Sequence, residues 1–531
     1  MAMGKVGNKV KDVLGIEGNT REVLRPMIAY DCANITLGGA GYPLNQFHQQ
    51  FLAYVEGMKT GKAGLITLIA GLWDAVSDPF MGIITDRTRS KLGRHRPYLL
   101  IGAIPFAIAY LFKWTSFGIS DKGNPTATWL WYLFAAIMYC TFMTMMSIPH
   151  TAMLPTVAPG YFERTQYKIV EYAFNSVGQV SSYVFTALAL SGFSVKTALT
   201  ALPTPSPLDK GKYALVGIVL MIWFSWSPIL CFFKTKEPSS KDQVNEKIDS
   251  SFLVSEYKTV FSNRAFRQYF IIALFYSMSR YFCNYADQYF MVSVTDTYNI
   301  FISMNIISGI AEFSGSPINY LITRYKGKTA CGKVLGPLMV AGIAMNSFLT
   351  YGTPRVIKYA VIIVSSILYN IGFSGPGFVA ENIQPDITDV DELITGRRRE
   401  GVIATFKTFF SKTISSFMGW AVGQSLESIF KYDPNVKSPL KQAPLTTLGL
   451  RLNYAVIPSI LALFCVISIY RYKMTKFDHE EIKRIIAEKK ETGTCEISDS
   501  EIKRIEYITG RKWEEMWIGR PDETRSLDIM S

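Results

Sequence analysis

The fold is decided by one apolar stretch and the basic connector that follows it, residues 72–100, LWDAVSDPFMGIITDRTRSKLGRHRPYLL. The stretch between Lys62 and Arg87 is long enough to cross a bilayer, which takes about 20 mostly apolar residues in a helix. Asp74 lies 12 residues after Lys62 and 13 before Arg87, near the middle of this span. Asp78 follows one helical turn later on the same face. Carboxylates at that depth are costly and mark ion or proton pathways.

The rest of the chain repeats this apolar character. Its 531 residues are 49% hydrophobic and 18% charged, whereas a soluble protein carries about 25% charged residues. Mean hydropathy is +0.17. This composition predicts a polytopic membrane protein in a lipid bilayer, and it excludes a cytosolic enzyme, a secreted domain and a nucleic-acid-binding protein. The net charge of +13 fits the same class, because Lys and Arg gather in the cytoplasmic loops of membrane proteins.

We predict an all-α protein with twelve transmembrane helices. The expected spans are 27–55, 63–85, 97–117, 129–153, 169–193, 213–234, 266–293, 299–322, 332–350, 357–382, 401–427 and 452–473. The polar middle loop, 235–264, separates two six-helix halves, 27–234 and 265–474, as in transporters built from internal repeats. Spans 1, 5, 7, 10 and 11 are the most polar, as cavity-lining helices are.

Basic residues set the expected orientation. They concentrate between spans 2 and 3, after span 6, after span 8 and before span 11, and the alternate loops carry fewer. By the positive-inside rule these four loops are cytoplasmic. The N-terminal segment, 1–26, and the C-terminal tail, 475–531, are therefore both expected in the cytoplasm of a multi-pass cell-membrane protein.

Two midplane carboxylates need a compensating charge. Asp74 and Asp78 supply hard oxygen ligands for a monovalent metal cation, or a shared proton, and the alternative is that each holds helices together by pairing with a basic residue. Lys412 lies 13 residues past Arg399, too deep in span 11 to reach the interface easily. We expect a cation that competes with Lys412 for these carboxylates to provide the coupling switch.

Three stretches of the chain resemble a known family. The stretches WDAVSDPFMG (73–82), DRTRSKLGRHRP (86–97) and SIPHTAMLPTV (147–157) are similar to the glycoside–pentoside–hexuronide:cation symporters. These form the melibiose permease group of the major facilitator superfamily. The resemblance covers roughly 25–475, and it implies the twelve-span major facilitator fold.

The resemblance also implies roles for single residues. Asp74 and Asp78 would be cation-site carboxylates, and Thr144 matches a span-4 threonine of the cation site. Lys412 falls where the family has its span-11 lysine, aligned through REGVIATFKTFFSK (399–412), and Asp31 in AYDCAN (29–34) matches a sugar-binding aspartate.

Three positions depart from the melibiose permease group. Ser147 stands where that group has an aspartate, and we retain Ser147 in the predicted cation site. Thr151 replaces the tryptophan that follows, and Tyr172 lies near the position of the sugar-binding arginine of span 5. The cation half of the family mechanism is therefore better supported than the galactoside half.

Further polar residues are candidates for solute contact and gating. Four residues on helices that line the superfamily's cavity join Asp31 as predicted solute ligands: Tyr30, Asn34, Tyr172 and Asn175. In the basic connector, Asp86, Arg87, Arg94 and Arg96 are predicted to form a cytoplasmic gate. Glu171, Glu312 and Glu381 could line the cavity, and Arg280 is expected to bond Asp287 or a neighbour.

We therefore expect a secondary active transporter. It would couple Na⁺ or H⁺ to the symport of a glycoside or related carbohydrate by alternating access. The alternative solute is a lipid-like or other amphiphilic compound in the same fold. An enzyme is disfavoured because no nucleophile–base constellation is visible, and a channel because charged residues seal both halves. No cofactor is expected beyond the coupling ion, and the chain is expected to work as a monomer without nucleic acid.

The C-terminal tail has its own helical pattern. Asp478 with Glu481, and Ser498 with Glu501, have the spacing of capping boxes, and narrow isoleucine stripes follow each pair. We expect short helices that pack under the bundle or on the membrane surface.

Overall fold

The computed structural model describes residues 20–158, 161–237, 260–397, 399–434, 436, 442–492, 495 and 497–520. Within this part of the chain the structure is helical and contains no β-strand, which confirms the all-α class. The side chains of Asp86 and Tyr172 lie outside the described residues. The described residues fall into two compact units.

The first unit takes in the described residues of 1–246, 291–303 and 416–449. Its labelled helices are α1 (Thr20–Asp31), α2 (Asn34–Gly39), α3 (Gln49–Tyr54), α4 (Thr60–Asp86), α5 (Pro97–Phe112), α6 (Pro125–Val157), α7 (Tyr161–Leu190) and α8 (Lys210–Lys234). Short helical pieces at Gly41–Pro43 and Val195–Thr200 and a π-helical turn at Leu44–His48 lie between them.

The first predicted span, 27–55, is an irregular helix. It is divided into α1, α2, the π-helical turn and α3, but helical backbone angles continue through Ala33, Ala40 and Gln49 between these pieces. Glycines let this span pack closely on α7: a Cβ at Gly39 would come within 2.6 Å of the Cα of Gly178, and only residues without a side chain allow two backbones to meet in this way. This approach sets α2 directly against α7.

The second unit takes in the described residues of 247–290, 304–415 and 450–531. The helices that build it are α9 (Arg264–Phe290), α10 (Phe301–Lys326), α11 (Lys328–Met345), α12 (Arg355–Asn382), α13 (Gln384–Thr395), α14 (Glu400–Gln424), α15 (Pro444–Arg451), α16 (Ile457–Tyr470), α17 (Lys476–Thr492) and α18 (Asp499–Thr509). Residues 301–303 of α10, 416–424 of α14 and 444–449 of α15 belong to the first unit. The π-helical turn at Leu452–Val456 lies in the second unit, and those at Met291–Thr295 and Ser425–Ile429 lie in the first.

Hydropathy separates the spans into two sets. By length and composition, six described segments could cross a membrane: Thr60–Thr85, Pro125–Leu154, Pro207–Lys234, Lys328–Phe348, Arg355–Thr395 and Pro444–Tyr470. Spans 1, 5, 7 and 11 fall outside this set, as expected for polar helices, and span 3 contains only the shorter apolar helix Pro97–Phe112. Span 10 is more apolar than predicted, because Glu381 lies in its last turn, and span 8 is more polar, because it carries Glu312 in its middle.

The tail forms helices that pack onto the second unit. Isoleucines of α17 and α18 share one buried apolar cluster with residues of α9, α13 and α16, which confirms the expected packing under the bundle. Ser498 and Glu501 form the predicted capping box of α18. The first box was assigned one turn late: Thr475, not Asp478, is the capping residue, and the Asp478 carboxylate accepts from the Thr475 backbone N–H at 2.7 Å.

Candidate functional site

The two midplane carboxylates of α4 meet a hydroxyl of α6. The Thr144 Oγ1 lies 3.0 Å from Asp74 Oδ1 and 3.0 Å from Asp78 Oδ1. Thr144 is buried, and both aspartates are partly buried. The four-residue spacing stacks the carboxylates on one helical face. The structure therefore brings three of the four predicted cation-site residues together.

The hydroxyl between the two carboxylates can donate to only one of them at a time. A threonine hydroxyl has one O–H, so the Thr144 hydroxyl cannot donate to Asp74 and Asp78 simultaneously. Asp74, Asp78 and Thr144 provide the hard oxygen atoms that a small cation prefers as ligands.

The helix around the carboxylates contributes further oxygens. The Ser77 hydroxyl donates to the Asp74 carbonyl at 3.1 Å and lies 3.5 Å from the Thr144 hydroxyl. Pro79 has no N–H to donate, so the carbonyl of Ala75 loses its helical partner while α4 continues through the proline. The proximity of Ser77 to the carboxylates was not predicted from the sequence.

Ser147 and Lys412 are the other two predicted members of the cation machinery. Ser147 is partly buried on α6, three residues after Thr144, and its carbonyl accepts from the Thr151 hydroxyl at 3.0 Å. Lys412 lies on α14, partly buried, in the second unit. The cation-ligand role of Ser147 and the coupling role of Lys412 stay predictions.

The predicted solute ligands of span 1 are buried in the wall of the first unit. The Asn34 amide donates to Asp31 Oδ1 at 3.2 Å. Asp31 has no exposed surface, and Tyr30 and Asn34 are 2% and 6% exposed. In this conformation a solute could touch Asp31 only after its covering side chains move, so its role as a direct ligand stays a proposal.

Tyr30 is held by His150, which was not among the predicted site residues. The Tyr30 hydroxyl donates to the His150 carbonyl at 2.7 Å, and His150 Nε2 lies 3.1 Å from the Tyr30 carbonyl. The two rings stack with centroids 4.2 Å apart. This reciprocal pair joins α1 to α6 next to Asp31, and the hydroxyl of Tyr30 is committed to it.

Asn175 lies where α7 approaches α2. A Cβ at Gly38 would meet the Asn175 Oδ1 at 1.8 Å, so the absence of a side chain at Gly38 makes room for the amide. Asn175 is partly buried, and it shares this helix contact with the wall that holds Asn34. The predicted solute ligand Tyr172, on the same helix, has its side chain outside the described residues.

The predicted gate residues differ in their exposure and in their contacts. Arg87 is exposed and Arg94 is partly buried, and the side chain of Asp86 lies outside the described residues. Arg96 is fixed within the first unit, because its Nε donates to the Phe232 carbonyl at 2.7 Å and its guanidinium lies 4.6 Å from the Phe232 ring. These contacts favour a structural role for Arg96, while the gate remains a prediction.

An acidic residue that the sequence did not single out organises this connector. Glu237 Oε2 accepts the backbone N–H groups of His95 and Arg96 at 3.0 Å each, and Oε1 lies 2.7 Å from His95 Nδ1. Burial alone would raise the pKa of the Glu237 carboxyl, but these hydrogen bonds outweigh burial and hold the pKa below its ordinary value. The only clue in the sequence was an acidic residue just after span 6.

Comparison with known proteins identifies the family. The family model described as MFS/sugar transport protein matches residues 29–476. The chain belongs to the MFS/sugar transport protein family. This match confirms the family resemblance and, with the helical structure, the major facilitator fold predicted from the sequence.

The names of this chain's relatives mention different solutes. The chain is 25% identical to "Putative glycoside/cation symporter YagG" of Escherichia coli over 88% of this chain and 95% of that one. It is 23% identical to "Sodium-dependent lysophosphatidylcholine symporter 1-A" of Danio rerio over 81% of this chain and 86% of that one. Both relatives are named as symporters, and the protein is a multi-pass membrane transporter of this group.

A solved structure shows the same fold at low identity. A proton-dependent oligopeptide transporter superposes with a TM-score of 0.57 and 14% sequence identity, over 85% of this chain and 100% of the solved chain. Identity this low reports the shared helical architecture and nothing about the solute.

Proposed function

We propose that this protein couples the transport of a glycoside or related carbohydrate to the movement of Na⁺ or H⁺ in the same direction. The observation that carries the proposal is the Thr144 hydroxyl, 3.0 Å from both the Asp74 and the Asp78 carboxylates. A pair of midplane carboxylates bridged by one neutral hydroxyl is a site for a small cation. The relative named as a glycoside/cation symporter supports the carbohydrate.

In the proposed mechanism the cation neutralises the carboxylates before the solute binds. Asp74 and Asp78 hold the cation, Thr144 orients one carboxylate oxygen of each, and Ser147 contributes a fourth oxygen. Asp31, Asn34 and their neighbours on α1 and α7 contact the solute once the wall opens. The two six-helix halves then rock about a midplane site. Lys412 competes with the cation for the carboxylates of Asp74 and Asp78, and this competition couples the ion to transport.

The first test is the Asp74→Asn variant in proteoliposomes. With an imposed inward Na⁺ or H⁺ gradient, wild type is expected to accumulate a labelled glycoside above its external concentration, and Asp74→Asn is expected only to equilibrate it. The matched control is Asp121→Asn, because Asp121 is an exposed aspartate that pairs with Lys210 outside the spans. Undiminished gradient-driven accumulation by Asp74→Asn would refute the proposed cation site.

A second candidate solute is a lysolipid. The relative named as a sodium-dependent lysophosphatidylcholine symporter favours it, as does Ser147 in place of the family's sugar-site aspartate. Uptake of a fluorescent lysophosphatidylcholine, measured beside uptake of p-nitrophenyl glycosides in the same vesicles, separates the two. Cation-driven uptake of the lysolipid alone would replace the carbohydrate with a lipid.

Orientation and assembly are part of the proposal. Both termini are proposed to be cytoplasmic, because the basic loops follow even-numbered spans or precede span 11. A fluorescent protein fused at the C-terminus is expected to fluoresce in a bacterial host, and an alkaline phosphatase fused there is expected to be inactive. The chain is proposed to transport as a monomer, with solute, cation and lipid bilayer as its partners.

A further inference from the structure

The second unit contains a charged cluster that the cation site does not use. Arg280 Nη2 lies 3.2 Å from Glu312 Oε2, and Arg280 Nη1 donates to Asn370 Oδ1 at 3.1 Å. The guanidinium also lies 4.4 Å from the Phe373 ring, which stacks on Tyr276. From the sequence, Arg280 was expected to bond Asp287 or a neighbour. In the structure its carboxylate partner is Glu312.

The members of this cluster share one depth. Arg280 lies near the middle of α9 (Arg264–Phe290), Glu312 near the middle of α10 (Phe301–Lys326) and Asn370 near the middle of α12 (Arg355–Asn382). Helices of this length span the bilayer, so their middles lie near its midplane. Solute sites of secondary transporters lie at that depth.

The cluster is not sealed in the protein interior. The Glu312 side chain is 42% exposed and that of Arg280 is 27% exposed. A carboxylate exposed to hydrocarbon at the midplane costs several kcal/mol or more, so charged residues there face the bundle interior or a water-filled cavity. The exposed side of Glu312 therefore meets water, where a solute passing through the protein can reach it.

The cluster also keeps hydrogen-bonding capacity. A guanidinium has five N–H donors and a carboxylate about four lone-pair positions. The contacts to Glu312 and Asn370 use two donors and one oxygen. Three different groups, a carboxylate, an amide and an aromatic ring, hold the guanidinium, so it presents its remaining donors in a fixed orientation.

We propose that Arg280 and Glu312 form a solute-binding site in the second unit that recognises the hydroxyl groups of an uncharged sugar. A sugar hydroxyl can donate to Glu312 and accept from Arg280, which matches an adjacent acceptor and donor. The pair carries no net charge, and its more exposed member is the Glu312 carboxylate, 42% exposed against 27% for Arg280, which would repel the carboxylate of a uronic acid. This inference rests on the proposed carbohydrate function and narrows its solute to the neutral class.

The test measures binding by the purified full-length chain in nanodiscs. The probes are neutral p-nitrophenyl α- and β-glycosides and p-nitrophenyl β-glucuronide, titrated by calorimetry in Na⁺ buffer and at low pH. Wild type is expected to bind a neutral glycoside more tightly than the glucuronide. Glu312→Gln and Arg280→Lys are each expected to weaken neutral-glycoside binding about tenfold or more, because a hydrogen bond to a charged group is lost.

The matched control is Glu480→Gln, which removes a carboxylate from the exposed Lys476–Glu480 ion pair in the same unit. If Glu312→Gln does not fold, Glu312→Asp decides, since it keeps the charge on Arg280 paired and only shortens the acceptor. Glycoside affinities of the Arg280 and Glu312 variants equal to that of Glu480→Gln overturn the site and leave the proposed function intact. A wild-type preference for the glucuronide overturns the neutral class. A wild type that binds no glycoside removes the proposed function and this inference with it.

Discussion

At the scale of single residues, the Thr144 hydroxyl decides how Asp74 and Asp78 can be occupied. It contacts one oxygen of each at 3.0 Å, and it carries one proton. If both carboxyls were ionised with no cation, two negative groups one helical turn apart would repel each other at the membrane midplane. In the proposed cation site the hydroxyl would orient the oxygens, and the ion would supply the positive charge.

Replacing Thr144 with valine should therefore weaken cation binding while keeping the shape of α6. We expect the cation concentration that gives half-maximal thermal stabilisation to rise about tenfold or more, since a hydrogen bond to a charged group contributes about 1.5–3 kcal/mol. The measurement is the Tm of purified protein against NaCl, with choline chloride holding ionic strength constant, and against pH.

The control for Thr144→Val is Thr141→Val, one turn earlier on α6. The Thr141 hydroxyl accepts from Trp73 and donates to the Ile137 carbonyl, so it has no part in the carboxylate cluster. Thr144→Ser should retain most of the affinity because it keeps the hydroxyl. Equal cation responses in the two valine variants would show that Thr144 is not a ligand.

Contacts of single residues can be predicted from the sequence when they lie within one helix, but not when they join distant segments. Asp74 and Asp78 could be recognised because their spacing and depth are properties of one helix. The partners from distant segments could not: nothing in the local pattern pairs Tyr30 with His150 or Arg280 with Glu312. Thr144 was found only through its resemblance to a family position.

At the scale of elements, Glu237 fixes the connector between α4 and α5. Its carboxylate receives two backbone N–H groups and the ring of His95. A Cβ at Gly93 would come within 2.2 Å of Glu237 Oε2, and Gly93 has a φ of +97°, so the connector can wrap closely only with glycine there. The basic connector is thus positioned by one acid from the end of α8.

We expect Glu237→Gln to lower the Tm by a few degrees at pH 7, because the N–H groups lose a charged acceptor, a loss of about 1–3 kcal/mol. The folded-state pKa of Glu237 is depressed below its ordinary 4.5. Its contribution is therefore complete above the unfolded-state pKa and is lost as the pH falls through the lower folded-state value. The Tm difference between wild type and variant should shrink as the pH falls below 4.5.

Glu480→Gln is the control for this experiment, because Glu480 is an exposed residue that pairs with Lys476 on one helix face. Such surface pairs contribute about 0–1 kcal/mol, so its Tm should stay near that of wild type at every pH. A Glu237→Gln difference that persists unchanged to low pH would mean that the charge of Glu237 does not stabilise the connector.

Element boundaries were predictable where the local chemistry is strong. The Ser498 capping box was read from spacing alone. The close approach of Gly39 to Gly178 could not be predicted, because the two residues are far apart in sequence. The cap of α17 was misplaced by one turn because threonine and aspartate both cap helices well.

At the scale of the whole molecule, the tail is a structural part of the second unit. Residues of α13 that face it, Ile387, Val390 and Leu393, have no exposed surface. The acidic side of α13 also meets the tail: His479 Nε2 lies 2.8 Å from Asp389 Oδ2, and Lys490 forms an ion pair with Glu392. Composition alone predicted the twelve-span core, but it could not tell whether this polar tail docks.

Shortening the chain to end at Met474 tests this docking. It removes α17 and α18, exposes the apolar face of α13, and leaves Asp389 and Glu392 without their basic partners from the tail. Because each buried isoleucine contributes about 1.5–3 kcal/mol, we expect the Tm to fall by at least about 5 °C and the aggregated fraction on size-exclusion chromatography to increase.

Ile485→Ala should cause part of this loss, since Ile485 has no exposed surface and such substitutions cost about 2–5 kcal/mol. Phe477→Ala, on the same helix but 80% exposed, should leave the Tm unchanged. A shortened chain as stable as the full one would mean that the tail does not hold the second unit together, because the faces it covers would then tolerate water or lipid.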